Sequence, residues 1–186
     1  HSDMTTFILA MLAIGLLQIS VTYRHALLFN KSGFGKLLLV SLVLTAMNVL
    51  MAWVALLFSD AIRDTMFFES TYAAMFILFI LAFKAYFNTR RSKLAENVFD
   101  ITQFRLLLLL GLATSFEVFI SVTGAAMIEI ELIPALIVVL AVSLFFSLLG
   151  FFAGRRPGQV TSIRVFILLA SAFYLLAALS TIFILL

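Results

Sequence analysis

Six long apolar stretches occupy most of this chain and decide what it can fold into. They cover residues 4–23, 37–58, 66–87, 104–128, 132–153 and 163–186. A helix needs about 20 apolar residues to cross the ~30 Å hydrocarbon core of a bilayer, and each stretch is long enough. Apolar residues make up 65% of the chain and charged residues 11%, which is far from the composition of a water-soluble domain. The sequence therefore predicts an all-α, polytopic membrane protein with six transmembrane helices.

Short polar segments separate the apolar stretches and leave no room for a soluble domain. We interpret residues 1–3, which precede Met4, as left over from expression, and residues 4–186 as a single membrane domain. A loop at 88–103 divides this domain into a first half, 4–87, and a second half, 104–186.

Several classes of chemistry are excluded by what the chain lacks. It contains no cysteine, so thiolate metal sites and cysteine nucleophiles are ruled out. The spans contain no nucleophile and base pair, so we do not expect an enzyme, and we expect no bound cofactor. The expected partners are the lipid bilayer and a transported solute, and not nucleic acid.

Basic residues are concentrated at alternate loops, which predicts the orientation of the chain. Eleven of the twelve lysines and arginines flank the first, third and fifth loops, and only Arg63 lies near the second. Short loops rich in lysine and arginine remain in the cytoplasm. We therefore expect loop 88–103 in the cytoplasm and both termini on the opposite side of the membrane.

The two halves share sequence features that favour an inverted repeat. "ISVT" occurs at 19–22 and again at 120–123, in the first helix of each half. The second helix of each half carries a stripe of small or polar residues with the spacing 4, 3, 4. The stripes are Ser41, Thr45, Asn48 and Ala52, and Ser143, Ser147, Gly150 and Gly154. Such repeats occur in transporters whose substrate site lies near the midplane between the halves, so we expect both stripes to face inward.

Glu117 lies about halfway along the fourth stretch, in "LATSFEVFISV" at 112–122. A carboxylate at the bilayer centre costs at least ~2.5 kcal/mol, so such residues usually mark an ion or proton pathway. Thr114 and Ser121 lie on the same helical stripe, so Glu117 must face protein or water. The alternative is a protonated Glu117 that only hydrogen-bonds a neighbouring helix.

Other polar residues in the spans are weaker candidates for a site. Gln18 could offer an amide oxygen to an ion, and Asn48 is either a ligand or an ordinary interhelical hydrogen-bonding residue. Gly150 and Gly154 form a GxxxG motif that packs helices closely, either inside the bundle or in a homo-oligomer. Lys84 lies near the cytoplasmic end of its span, where it can reach the membrane surface, and we assign it no chemistry.

Four segments resemble the MntP family of bacterial manganese exporters, within the LysE-type transporter superfamily. "GLATSFEVFISVTGAAM" at 111–127 is similar to the fourth helix of that family, and "AAMFILFILAFKAYF" at 73–87 to the third. "NVLMAW" at 48–53 and "SLLGFFAGRR" at 147–156 resemble parts of the second and fifth. The resemblance implies a bacterial inner-membrane protein with six spans and both termini in the periplasm. It also implies export of a divalent cation such as Mn²⁺, with Glu117 as a metal ligand.

The first helix departs from the family pattern. The family carries an acidic residue there, whereas this chain reads "AIGLLQISVT", with Leu16 or Gln18 opposite Glu117 depending on the alignment. Mn²⁺ favours oxygen-rich sites, usually with more than one carboxylate, so Glu117 with Gln18, Asn48 and waters predicts a weak site. Export of an amino acid or another small organic solute, and a non-transporting scaffold or sensory partner, are therefore the alternatives to cation export.

The predicted orientation can be tested with reporter fusions. A reporter fused after Leu186 should be active only as a periplasmic reporter, and one inserted near Ser92 only as a cytoplasmic reporter, because of the basic loops. A cytoplasmic C-terminus would contradict both the topology and the inverted repeat.

Overall fold

The computed structural model of the protein describes residues 2–26, 34–65, 70–91, 104–128, 130–154 and 161–185, which are organised as six α-helices. The helices are α1 (Ser2–Ala26), α2 (Phe34–Arg63), α3 (Ser70–Arg91), α4 (Phe104–Ala126), α5 (Leu132–Gly154) and α6 (Thr161–Leu185). All six are long and apolar enough to cross a membrane, and the described residues contain no strand. The predicted six-helix membrane fold is confirmed.

The helices form a closed ring with two members in contact across its centre. Each helix packs on the next in the order α1, α5, α2, α4, α3, α6 and back to α1, and α1 also contacts α4 across the middle. This central contact divides the bundle into two compartments. One lies between the central helices and α2 with α5, and the other between the central helices and α3 with α6.

Each extensively packed pair of helices joins the first half of the chain to the second. Within the described residues, helices of the same half make at most marginal contacts with one another. Exchanging α1 with α4, α2 with α5 and α3 with α6 leaves the set of packed pairs unchanged, as two related halves would require. The α3–α4 contact is nevertheless much less extensive than its counterpart, α1–α6. The rotation that would relate the halves stays a prediction.

Both stripes of small and polar residues face the interior, as predicted, and all eight of their residues are buried. Gly150 and Gly154 pack against α1. A methyl group on Gly150 would overlap the Thr22 hydroxyl and lie 3.0 Å from the Ile19 carbonyl oxygen. A methyl group on Gly154 would lie 2.5 Å from the Tyr23 carbonyl oxygen. Packing inside the bundle is thus the observed role of this GxxxG motif, and a homo-oligomer would need another surface.

Replacing Gly150 with alanine should destabilise the bundle, because the added methyl group would push α5 away from α1. Overpacking of this kind costs about 1–3 kcal/mol, and each kcal/mol lowers the unfolding midpoint by about 2–4 °C in a chain of this size. Thermal unfolding in detergent, followed by circular dichroism, measures the effect.

Gly35→Ala is the matched control, since a methyl group on Gly35 meets nothing within 4 Å. We expect it to leave the midpoint unchanged or slightly higher, because alanine favours helix. Equal stability of the Gly150→Ala protein and the wild type would contradict the packing described for α1 and α5.

Candidate functional site

Glu117 lies close to the contact between the two central helices and forms an ion pair with Lys84 of α3. Lys84 Nζ donates a hydrogen bond to Glu117 Oε1 at 2.8 Å, and this bond joins α3 to α4. The side chains are 46% and 32% exposed, for lysine and glutamate respectively. The other ion pair within the described residues, Arg63 with Asp60, lies within one turn of α2. Lys84 therefore supplies the opposite charge that a carboxylate inside a membrane needs.

A hydrogen-bonded polar cluster lies on the other side of Glu117, in the compartment with α2 and α5. Asn48 Nδ2 donates to Gln18 Oε1 at 3.1 Å and to Ser143 Oγ at 3.2 Å. All three side chains are buried. Gln18 Nε2 and Asn48 Oδ1 have no hydrogen-bond partner in the described part of the chain. The cluster thus presents one donor and one acceptor that are still available to a solute.

Glu117 and this cluster border a common small void. Its volume is about 10 Å³, which is room for about one water molecule. Gln18, Asn48, Thr114 and Glu117 all line it. Apolar side chains of α1 and α4 complete its lining, so the void is a single small space that the carboxylate shares with the amides.

A larger cavity of about 280 Å³ extends from Glu117 along α1 toward the C-terminal end of that helix. Its lining comes from α1, α3, α4 and α6, and comprises Leu17, Ser20, Val21, Arg24, Asn88, Glu117 and Ile167. Arg24 Nε is buried and has no hydrogen-bond partner among the described residues. A carboxylate and a guanidinium group therefore line the same cavity.

Three of the predicted residues gather around Glu117, and one does not. Gln18 and Asn48 share the small void with it, as does Thr114, whose hydroxyl donates to the carbonyl oxygens of its own helix. Ser121 instead shares a hydrogen bond of 2.6 Å with the Tyr174 hydroxyl, which is buried and links α4 to α6. Ser121 lines neither cavity described above.

Sequence reasoning missed four residues of this site, of which Lys84 is the most important. Lys84 and Glu117 carry opposite charges within membrane spans, and that was the sequence signal for their pairing. Asn88 lies one helical turn beyond Lys84 on α3. Arg24 was counted only as a topology signal, and Ser143 only as a member of the inward stripe.

The side chains around Glu117 are better suited to reversible binding of a solute than to permanent binding of a metal ion. No group of three histidine or acidic side chains that could hold a metal occurs among the described residues. Amide and hydroxyl oxygens from Gln18, Asn48 and Thr114 accompany a single carboxylate, and Lys84 neutralises that carboxylate. Transport requires binding that is favourable but readily reversed, so weakness is compatible with a carrier site.

Comparison with known families gives one match. Residues 31–179 match the Mntp family, described as "Putative manganese efflux pump". The matched segment contains both Lys84 and Glu117 and begins after α1, the helix in which the chain departs from the family's acidic pattern. No curated protein and no solved structure matches the chain. Because the family match covers well over half of the chain and accompanies six helices able to cross a membrane, the protein belongs to the MntP family of multi-pass membrane transporters.

Proposed function

We propose that the protein exports a divalent cation such as Mn²⁺ across the bacterial inner membrane by alternating access, with Glu117 as the ion or proton site. The observation that carries this proposal is the position of the Glu117 carboxylate, which lines both the small void and the larger cavity. Keeping a carboxylate inside the membrane costs at least ~2.5 kcal/mol. A group that binds a solute needs access to such spaces, and Glu117 has access to both.

The charge distribution supports export in particular. If the basic loops are cytoplasmic, the cavity beside Arg24 and Asn88 opens toward the cytoplasm, the side from which an exporter takes its cargo. The polar cluster of Gln18 and Asn48 then lies beyond Glu117 as seen from the cavity. Cargo would reach the carboxylate first and the amides second.

The oxygen atoms near Glu117 are of the kind that Mn²⁺ accepts. Glu117 would supply the one charged ligand, Asn48 Oδ1 a free amide oxygen, and Thr114 a hydroxyl, with water molecules completing the shell. No resident cofactor belongs to this proposal, and the ion is cargo. In the same proposal, the two inverted halves provide the alternating access.

Export of a zwitterionic solute, such as an amino acid, is the second candidate. One observation favours it, namely that Arg24 and Glu117 line a single cavity of about 280 Å³. The guanidinium group could bind a carboxylate while Glu117 binds an ammonium group. A bare cation would use neither the volume of this cavity nor the positive charge of Arg24.

Replacing Glu117 with glutamine should abolish transport while leaving the fold intact. The amide keeps the size and hydrogen bonding of the side chain but removes its charge, so a cation loses its only charged ligand. Transport is measured in reconstituted vesicles, separately with Mn²⁺, with other divalent cations and with basic amino acids. Thermal unfolding of the purified variant checks that it is folded.

Glu131→Gln is the matched control, because Glu131 is exposed just before the start of α5 and lines neither the small void nor the larger cavity. It should transport like the wild type. Undiminished transport of an identified solute by the Glu117→Gln protein would remove Glu117 from the mechanism. Transport of amino acids but not of Mn²⁺ by the wild type would favour the second candidate.

A further inference from the structure

The ion pair between Lys84 and Glu117 occupies the carboxylate that the proposed cation site would use. The contact joins Lys84 Nζ to a single oxygen atom, Glu117 Oε1, at 2.8 Å. A second small void lies beside the pair. Its lining includes Lys84 and Glu117 themselves, together with Asn88 and Tyr174. In this conformation the positive charge at the site is supplied by the protein itself.

We propose that Lys84 is a tethered competitor of the cargo, whose ammonium group holds Glu117 until a transported cation displaces it. This inference rests on the proposed function and adds to it the residue that sets how tightly cargo binds. A cation and the ammonium group cannot both neutralise one carboxylate, so binding of one weakens binding of the other. The affinity for cargo is therefore a difference between two interactions with Glu117.

The chemistry of lysine makes such displacement feasible. An ammonium group is a point charge on a flexible four-carbon chain, and the contact uses one carboxylate oxygen and not two. The Lys84 side chain is 46% exposed, so little packing holds it in place. Asn88 lies one helical turn further along α3 and lines the 280 Å³ cavity. The ammonium group can thus move toward that cavity when it leaves Glu117.

The position of the pair also couples cargo binding to helix packing. Lys84 and Glu117 bridge α3 and α4, whose contact is much less extensive than that of α1 with α6. Displacing the ammonium group removes a charged link from this weakly packed pair of helices. We expect cargo binding to loosen α3 from α4, which is a change that a transport cycle can use.

Binding of Mn²⁺ to purified variants in detergent tests the inference. The free ion gives an electron paramagnetic resonance signal that is lost on binding, so a titration at mildly alkaline pH yields the dissociation constant. Lys84→Gln should bind Mn²⁺ about two- to fivefold more tightly than the wild type, the effect of removing one partly exposed ion pair. Lys84→Arg should bind more weakly, because a guanidinium group can hold both carboxylate oxygens.

Two further proteins make the result specific to Glu117. Adding Glu117→Gln to Lys84→Gln should cancel the gain in affinity, since no carboxylate remains to be released. Lys36→Gln, which removes an exposed lysine near the start of α2, should leave the dissociation constant unchanged. Gains of equal size in Lys36→Gln and Lys84→Gln would reduce the effect to net charge and would overturn the inference.

The inference and the proposed function fail in different ways. Unchanged or undetectable Mn²⁺ binding by Lys84→Gln, in a protein whose transport still depends on Glu117, would overturn the competitor role and leave the proposed function standing. Normal transport by Glu117→Gln would overturn both. If Lys84→Gln does not fold, the Lys84→Arg variant decides, because equal affinity in arginine and lysine proteins would contradict competition for the carboxylate.

Discussion

The structure depends on the absence of water and of hydrogen-bonding groups in the hydrocarbon core of the membrane. Lipid chains give apolar helices no reason to associate, because a leucine is as well solvated by lipid as by another helix. Association must come from close packing and from polar groups that find partners. Close packing comes from two glycines of α5, Gly150 and Gly154, which lie against α1. Hydrogen bonds come from the Asn48–Gln18 and Ser121–Tyr174 pairs. Close packing and a few buried hydrogen bonds are therefore what hold the bundle together.

The same constraint gives the site its balance of charge. Within the described residues, Glu117 is an acidic side chain facing a cavity between helices, and Lys84 keeps it neutral as a pair. Where the resemblance implies a second acidic residue, in the first helix, this chain has leucine or glutamine. The pair of Lys84 and Glu117 carries no net charge. Cargo with a single positive group could replace the ammonium group without changing that balance, whereas Mn²⁺ would add one positive charge.

The sequence predicted the number, type and approximate limits of the helices because membrane spans are determined by local composition. It also predicted that Ser41 to Ala52 and Ser143 to Gly154 face inward, since a small or polar stripe has no place toward lipid. The site was harder, because the partners of Glu117 come from α1, α2 and α3. Which of these helices lie beside α4 follows from the order of the ring, and periodicity within one helix contains no information on that order. Lys84 is an example. Its place near the end of a span predicted a side chain that reaches the membrane surface, whereas the structure pairs it with Glu117 of α4.

The interleaving of the two halves has a consequence for how the protein is made. Within the described residues, α1, α2 and α3 have their extensive contacts with helices that are synthesised after them. When the first half enters the membrane, the amide of Asn48 and the ammonium group of Lys84 therefore lack their second-half partners, Ser143 and Glu117. A nascent chain that stops after α3 would contain three helices with exposed polar faces and no core of its own. Assembly must therefore wait for α5 and α6. During this interval, insertion machinery or chaperones can shield an incomplete chain, and proteases can degrade it.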